Sequence, residues 1–339
     1  MHLKNLLLMG WHTALANISE HTCPLNAMIS VTNRCNSRCS YCNIFNRKQR
    51  ELTTSEMLDL LKQLKKSGVQ RIALWGGEPL VREDISQLID YAKDECGFFV
   101  SMDTNGYLVP NRIESLKKID VLVMSIDGPE NIHDKNRESG SFKKVLKAIE
   151  TAAPLMNVFT ITVLTKENLE HIDYILELAA EYNFSTTFQL LHHSDELASE
   201  NENNMVPLSE QYRNAIKHLL KRKREGAPIV SSVQYLEYLM KWKDYSITTL
   251  TEQTDLKCWA GKLYCNVDTD GSIYPCSVMI GCVKAKNFLD CGFDKAFEYI
   301  KNIDCKACTA SCFTEYNFIH SLNLSVIYNW FKYTGRKKK

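Results

Sequence analysis

Cysteine is the chemically distinctive residue of this 339-residue sequence, which contains 13 of them. Three lie close together at Cys35, Cys39 and Cys42, and eight more lie between residues 258 and 312. The chain is too large for a typical disulfide scaffold, and we expect no secretory signal, so clustered thiols predict metal binding in a reducing, cytoplasmic compartment. A 4Fe–4S cube needs a ligand on each iron, and three cysteines leave one iron open.

Bulk composition limits the classes of function. Hydrophobic residues make up 45% of the chain, charged residues 24%, and the formal net charge is +1. Near-neutral charge gives no support for nucleic-acid binding. The sequence contains no apolar run of about 20 residues, so we expect no membrane span. Apolar segments near both ends either pack on the fold or rest on a membrane surface.

The elements that position the first three cysteines alternate between strand-like and helix-like segments. Thr53 and Glu56 form a capping-box pattern that predicts a helix start. Strand and helix alternation predicts parallel pairing with the chemistry at the carboxyl ends of the strands. The predicted fold is α/β, a partial (β/α)6 TIM-like barrel followed by a small cysteine-rich α+β domain. The six predicted strands are 27–31, 71–75, 98–102, 121–126, 159–164 and 186–191.

Changes in residue composition and predicted secondary structure along the chain indicate four regions. Residues 1–24 form an N-terminal helical extension, and residues 25–245 form the barrel. Short strands, turns and cysteines then predict a cluster domain over residues 250–315. A C-terminal helix and basic tail complete the chain over residues 316–339.

The loop after the first predicted strand contains Cys35-x3-Cys39-x-Tyr41-Cys42. This motif resembles the signature of the radical S-adenosylmethionine (SAM) superfamily. The resemblance implies that SAM chelates the open iron, that Tyr41 lies against its adenine, and that an electron splits SAM to a 5′-deoxyadenosyl radical, which abstracts hydrogen from a substrate. The alternative is a zinc site, although zinc favours four closed ligands.

Further motifs of the same superfamily follow in order. They resemble its Gly-Gly-Glu-Pro, Thr-Asn-Gly and Ser-x-Asp-Gly…His-Asp…Arg stretches. The implied SAM-binding residues are Gly76, Gly77, Glu78, Pro79, Thr104, Asn105, Ser125, Arg137 and Gln189. Asp127 and Asp134 are equally typical of turns and helix caps.

The second cysteine group begins with Cys258-x12-Gly271-x4-Cys276, in which an Asp-Thr-Asp-Gly turn predicts a hairpin. This region resembles SPASM and twitch domains, which implies at least one auxiliary 4Fe–4S cluster. The favoured ligands are Cys258, Cys276, Cys305 and Cys308. Cys265 and Cys312 are alternative ligands or parts of an incomplete second cluster. Zinc is again the alternative, and we expect Cys282 and Cys291 to be ordinary buried thiols.

The resemblance implies an electron donor such as flavodoxin or ferredoxin but fixes no substrate. Peptide or protein maturation is one interpretation, and modification of a small molecule or membrane lipid is the alternative. A non-enzymatic metal scaffold is the remote alternative. Candidate general bases are His192, His193 and Asp268, and the sequence assigns none of them a catalytic role.

Overall fold

The structure, a computed structural model, describes residues 3–194, 196–199 and 204–335. The predicted basic tail at 336–339 therefore lies outside the described residues. Within those ranges no helix has both the length and the apolar character needed to cross a bilayer.

All six predicted barrel strands form, and each pairs in parallel with the next. In a parallel sheet residues two apart face the same side, so alternate residues of each strand point inward. The predicted α/β partial barrel is confirmed. The strands are β1 Asn26–Thr32, β2 Arg71–Gly76, β3 Phe99–Thr104, β4 Val121–Ser125, β5 Val158–Leu164 and β6 Ser185–Leu190.

Helices precede and connect these strands. The second helix begins with the predicted capping box, in which Thr53 accepts from the backbone of Glu56 and the Glu56 side chain accepts in return. The helices of this part are α1 Leu3–Ile18, α2 Thr54–Lys66, α3 Ile85–Asp90, α4 Val109–Leu116, α5 Glu130–Asn136, α6 Ser141–Ala152 and α7 Ile172–Glu181.

After β6 the chain forms α8 Ser209–Arg224 and α9 Val233–Met240 and then becomes strand- and turn-rich. The short strands are β7 Thr249–Leu250, β8 Tyr264–Val267, β9 Ser272–Tyr274, β10 Lys286–Asn287 and β11 Ala307–Cys308. The remaining helices are α10 Phe288–Cys291, α11 Phe293–Tyr299, α12 Ser311–His320 and α13 Leu324–Thr334.

The predicted hairpin forms from β8 and β9, and it extends the barrel sheet. Strand β8 pairs in parallel with β1, with Ala27 opposite Cys265. One nine-stranded sheet results, in the order β10-β9-β8-β1-β2-β3-β4-β5-β6. The sheet is thus continuous across the predicted boundary near residue 250, and α12 and α13 lie over its inner face.

Candidate active site and auxiliary cluster site

The cysteine loop, residues 33–46, follows β1 at the carboxyl end of the sheet. Its three thiols are half-buried. Hydrogen-bond donors approach their sulfurs: Asn105 Nδ2 lies 3.9 Å from Cys35 Sγ, and Arg137 Nη1 lies 3.6 Å from Cys39 Sγ. Such donors stabilise thiolates that ligate iron. Without metal, burial raises the pKa of Cys35 to about 11 and that of Cys42 to about 12.

Sulfur spacing distinguishes a cube from a single ion. Zinc–sulfur bonds of about 2.3 Å hold four sulfurs roughly 3.8 Å apart. Among the described residues, the sulfurs of Cys35, Cys39 and Cys42 do not all lie within 4.8 Å of one another, so they do not form the compact set that a single zinc ion needs.

The Gly-Gly-Glu-Pro segment packs directly on the cysteine loop. Gly77 N donates to Thr32 O at 2.7 Å, and Glu78 N donates to Arg34 O at 2.9 Å. A Cβ atom at Gly77 would lie 2.3 Å from Arg34 O, so only glycine permits this approach. The two motifs that the sequence placed 34 to 44 residues apart are therefore in backbone contact.

Glu78 holds the end of β3. Its fully buried carboxylate accepts from Thr104 Oγ1, Asn105 N and Leu80 N, at 2.7, 2.7 and 3.0 Å. Burial raises its pKa, and these three hydrogen bonds oppose that effect. The carboxylate therefore positions the Thr-Asn-Gly segment. Pro79 starts the short helical turn that follows.

A buried charge pair lies beside the cysteine loop. Asp127 Oδ2 accepts from Arg137 Nε at 2.7 Å and from Tyr41 OH at 3.1 Å, and Arg137 Nη2 donates to Tyr41 OH at 2.6 Å. Burial is the largest single effect and opposes the charge on Arg137, but Asp127, Tyr41 and Cys39 together outweigh it and raise the pKa of Arg137 well above its ordinary value. Burial likewise raises the pKa of Tyr41. Ser125 is half-buried at the end of β4.

The sequence left the roles of Asp127 and Asp134 open. In the structure Asp127 is the partner of Arg137, and Asp134 caps a helix. Asp134 accepts from Gly140 N, Ser141 Oγ and Phe142 N at the start of α6, at 2.6, 2.9 and 2.8 Å.

The mouth of the barrel lies between the cysteine loop and β6. Tyr41, Cys42, Trp75, Gln189 and His192 line one cavity of about 220 Å³. Gln189 Oε1 accepts from Ser311 Oγ of α12 at 3.0 Å, so this residue connects the mouth to α12. Gln189 therefore lies where a substrate would pass from the mouth into the barrel.

The candidate general bases occupy different environments. Asp268 forms a buried ion pair with Arg47, at 2.6 Å, and is committed to that contact. His192 faces the mouth cavity, and burial lowers its pKa to about 4, so it is neutral at pH 7. His193 lines the same cavity.

The auxiliary site comprises Cys258, Cys276, Cys305 and Cys308, which the structure brings together. Burial raises the pKa of Cys276 well above its usual range, and the charges of Cys308, Cys258 and Cys305 raise it further. Burial and then Cys258 raise the pKa of Cys305 to about 11. The mutual effects of these four thiols on one another's pKa show that they converge, and four thiolates are the number that a 4Fe–4S cube takes.

The structure does not bring the other predicted ligands into this site. Cys265 on β8 is buried in the main core, and burial alone raises its pKa. Cys312 lines the barrel cavity near Asp103, and burial raises its pKa to about 12. The expectation that Cys282 is a buried thiol is wrong, because this residue is exposed.

Sequence reasoning missed the contacts that join the two cysteine regions. Arg47, directly after the cysteine loop, pairs with Asp268 of the hairpin turn, and Asn33 Nδ2 within the loop donates to Thr269 Oγ1 at 2.9 Å. The Asp-Thr-Asp-Gly signal predicted the turn, but its partners lie more than 200 residues away and carry no local signal.

A partial parallel barrel with three thiols in the loop after its first strand defines a radical SAM domain. Residues 29–179 match the profile of the Radical SAM superfamily. These residues therefore form a radical SAM domain, and members of this superfamily use a 4Fe–4S cluster and SAM.

Several known proteins resemble the chain. Mycofactocin maturase MftC of Mycolicibacterium smegmatis is 26% identical over 266 residues, which are 76% of this chain and 65% of that protein. A GTP 3′,8-cyclase of Marinobacter nauticus is 33% identical over 174 residues, which are 47% of this chain and 52% of the cyclase. The chain thus spans less than two thirds of the length of these relatives.

Two solved structures share the fold. SuiB of Streptococcus suis bound to S-adenosylmethionine superposes with a TM-score of 0.65 at 17% identity, over 86% of this chain and 71% of SuiB. The protein anSMEcpe, solved with AdoMet and a Kp18Cys peptide, gives 0.64 at 17% identity, over 90% of this chain and 99% of that one.

Proposed function

We propose that this chain is a radical SAM enzyme that modifies a peptide or protein substrate. The observation that carries the proposal is the cysteine loop, whose three thiols lie against the Gly-Gly-Glu-Pro segment at the mouth of an open barrel. The peptide substrate is supported by the maturase relative MftC.

Each part of the site has a task in this reaction. Cys35, Cys39 and Cys42 would hold three irons of the first cluster, and the fourth iron would bind SAM. The bound cofactors supply an electron and a radical that abstracts hydrogen. Asn105 and Arg137 donate to two of the cluster sulfurs and lower their negative charge. Gly76 and Gly77 admit the methionyl end of SAM, and Tyr41, held by Asp127 and Arg137, borders its adenine.

The auxiliary site would hold a second 4Fe–4S cluster through four thiolates. Tyr264 OH lies 3.8 Å from Cys258 Sγ and donates to Asn317 Oδ1, and Thr314 Oγ1 lies 3.9 Å from Cys308 Sγ and donates to Cys308 O, so both hydroxyls are held beside the ligand sulfurs. The proposal includes a flavodoxin or ferredoxin donor and a cytoplasmic location, since thiolate ligands need a reducing compartment. Ala16 of α1 and Val326 of α13 are buried against the fold, whereas Trp11 and Tyr328 on the same helices are exposed, and membrane contact is not part of the proposal.

The decisive experiment is anaerobic and counts iron in variants. We expect Cys35→Ala, Cys39→Ala and Cys42→Ala together to remove about four irons per chain and to abolish 5′-deoxyadenosine formation. Alanine at all four auxiliary-site cysteines should remove a separate set of about four. Replacing Cys96 and Cys291 by alanine is the matched control and should remove none. Deoxyadenosine production by the first variant would overturn the proposal.

The substrate class needs a separate measurement. Peptides from a cell extract are incubated with the reduced wild-type enzyme or with the triple cysteine variant, and their masses are compared. We expect SAM-dependent mass changes in peptides only with the wild type. A small-molecule substrate is the second candidate, favoured by the GTP 3′,8-cyclase relatives. Mass changes confined to metabolites would support it over a peptide.

A further inference from the structure

The inside of the barrel is a cavity of about 310 Å³, which we call the lumen. Arg71, Ala73 and Trp75 of β2 line it, as expected for alternate residues of one strand. Most of its wall is apolar, and Val123 and Ile161 are typical wall residues. Trp75, Gln189 and His192 line both the lumen and the mouth cavity beside the cysteine loop, so the two spaces adjoin.

The side chain of Arg71 supplies a positive charge at the end of the lumen opposite the mouth. The guanidinium carbon of Arg71 is 5.4, 5.2 and 5.9 Å from the ring centres of Phe99, Tyr316 and Trp330. Three aromatic faces lessen the cost of burying this charge. They accept no conventional hydrogen bond, however, and a guanidinium carries five N–H donors.

Arg71 has no polar partner for its side chain among the described residues. Its Nε atom is buried and makes no hydrogen bond, and none of the ion pairs found in those residues includes Arg71. The residue is half-buried, and its Nε atom is the buried donor that lacks an acceptor. By contrast, the buried guanidinium of Arg137 is paired with Asp127. Leaving a buried donor without an acceptor is costly, so an acceptor that enters the lumen would be stabilised beside Arg71.

Asp103, whose pKa responds to the charge of Arg71, does not serve as that acceptor. Asp103 of β3 also lines the lumen, but the register pairs Arg71 with Phe99, four residues before Asp103. Four residues of strand span about 13 Å. The two groups sense each other, since Arg71 opposes the burial that raises the pKa of Asp103, yet they form no ion pair.

We propose that Arg71 binds a carboxylate carried on an apolar stem, and that this is the part of the substrate that enters the lumen. The planar fork of the guanidinium matches the two oxygens of a carboxylate. The stem would run along Val123 and Ile161 toward Trp75, about 13 Å from Arg71 along β2, and so bring C–H bonds close to the mouth. This inference rests on the proposed function, because it describes the substrate of the same site.

The first test needs no variant. Binding of octanoate and of its neutral analogue octanamide to the anaerobic, SAM-loaded wild-type enzyme is measured by calorimetry. The two probes share the apolar stem and differ in charge. We expect octanoate to bind about tenfold more tightly or better, because only the carboxylate can pair with the guanidinium. Equal affinities would overturn the inference.

Variants then assign the effect to Arg71. We expect Arg71→Met to abolish the preference for octanoate, and Arg71→Lys to keep part of it, since the charge remains but the fork is lost. Arg224→Met is the control, because Arg224 is exposed and pairs with Glu237. A preference that survives in Arg71→Met would overturn the inference. Binding is measured without turnover, so this failure is distinct from a wild-type enzyme that forms no deoxyadenosine.

Discussion

At the scale of single residues, the site is organised by buried charge. Asp127 is fully buried, and Arg137 shows only 7% of its side chain to solvent. Burying both charges loses solvation free energy. Pairing them offsets this loss only when the remaining donors also form hydrogen bonds. Here Arg137 also donates to Tyr41 OH and toward Cys39 Sγ, so each of its three nitrogens has at least one partner. The pair therefore connects the cysteine loop to the ends of β4 and α5.

The first prediction concerns this pair. Asp127→Asn leaves the guanidinium of Arg137 buried without a counter-charge, so we expect the free energy of unfolding to fall by about 3–5 kcal/mol. Lys135→Met is the control, since it removes an exposed pair with Glu167 that contributes about 0–1 kcal/mol. Anaerobic urea denaturation measures both. Equal stabilities of the two variants would contradict the assigned role of Asp127.

The second prediction is a pH dependence. His320 is buried with its ring nitrogens 3.1 Å from Thr13 Oγ1 and Asn26 Nδ2, and burial lowers its pKa from 6.5 to about 3. Below pH 6.5 the unfolded chain therefore binds a proton that the folded protein excludes. This residue alone should lower the free energy of unfolding by about 1.4 kcal/mol per pH unit as the pH falls from 6.5 toward 5.

The corresponding variants are His320→Gln and, as control, His218→Gln at a partly exposed site. We expect only the first to flatten the dependence of unfolding free energy on pH in that window. An unchanged slope in His320→Gln would show that His320 is protonated in the folded protein.

At the scale of elements, two loops hold each other in place. Gly76 has a φ of +136°, and both Gly76 and Gly77 approach the carbonyl oxygens of the cysteine loop too closely for a side chain. The loop after β2 thereby fixes the loop after β1. A shift in either loop would displace both the cluster ligands and the SAM-binding backbone.

The third prediction is that Gly77→Ala weakens SAM binding by about tenfold or more, because the new methyl group would push the loop off Arg34. Gly10→Ala in α1 is the control, since no atom lies within 4 Å of the added methyl group. Anaerobic calorimetry with SAM gives both affinities. Wild-type affinity in Gly77→Ala would show that the two loops move independently.

At the scale of the whole molecule, the cysteine-rich region completes the barrel. Strand β8 covers the edge of β1, and α12 and α13 supply Cys312, Tyr316 and Trp330 to the lumen. Both cysteine regions are therefore parts of one folded unit joined through the sheet and through the Arg47–Asp268 pair.

The fourth prediction follows from this continuity. A chain of residues 1–245 would expose the edge of β1 and the apolar lumen, so we expect it to aggregate. Size-exclusion chromatography and iron analysis against the full chain measure the outcome. A monomeric fragment with about four irons would show that the barrel folds alone.

The sequence by itself determined the barrel and the cysteine loop, because these signals are local. Alternating strands and helices, the capping box at Thr53 and the spacing of Cys35, Cys39 and Cys42 all lie within short windows. Short-range periodicity and turn chemistry fix such elements. The four auxiliary-site cysteines were also predicted, since a hairpin brings two of them together and a Cys-x2-Cys segment supplies the others.

Only the tertiary structure decided which residues meet across the chain. It paired Arg47 with Asp268, placed Cys265 in the main core and Cys312 beside the lumen, and placed Arg71 in the lumen without a polar partner among the described residues. The Arg47–Asp268 pair depends on strand order, because β8 joins β1 across more than 200 residues of sequence. Long-range pairing is set by the packing of the whole sheet, and no local pattern encodes it.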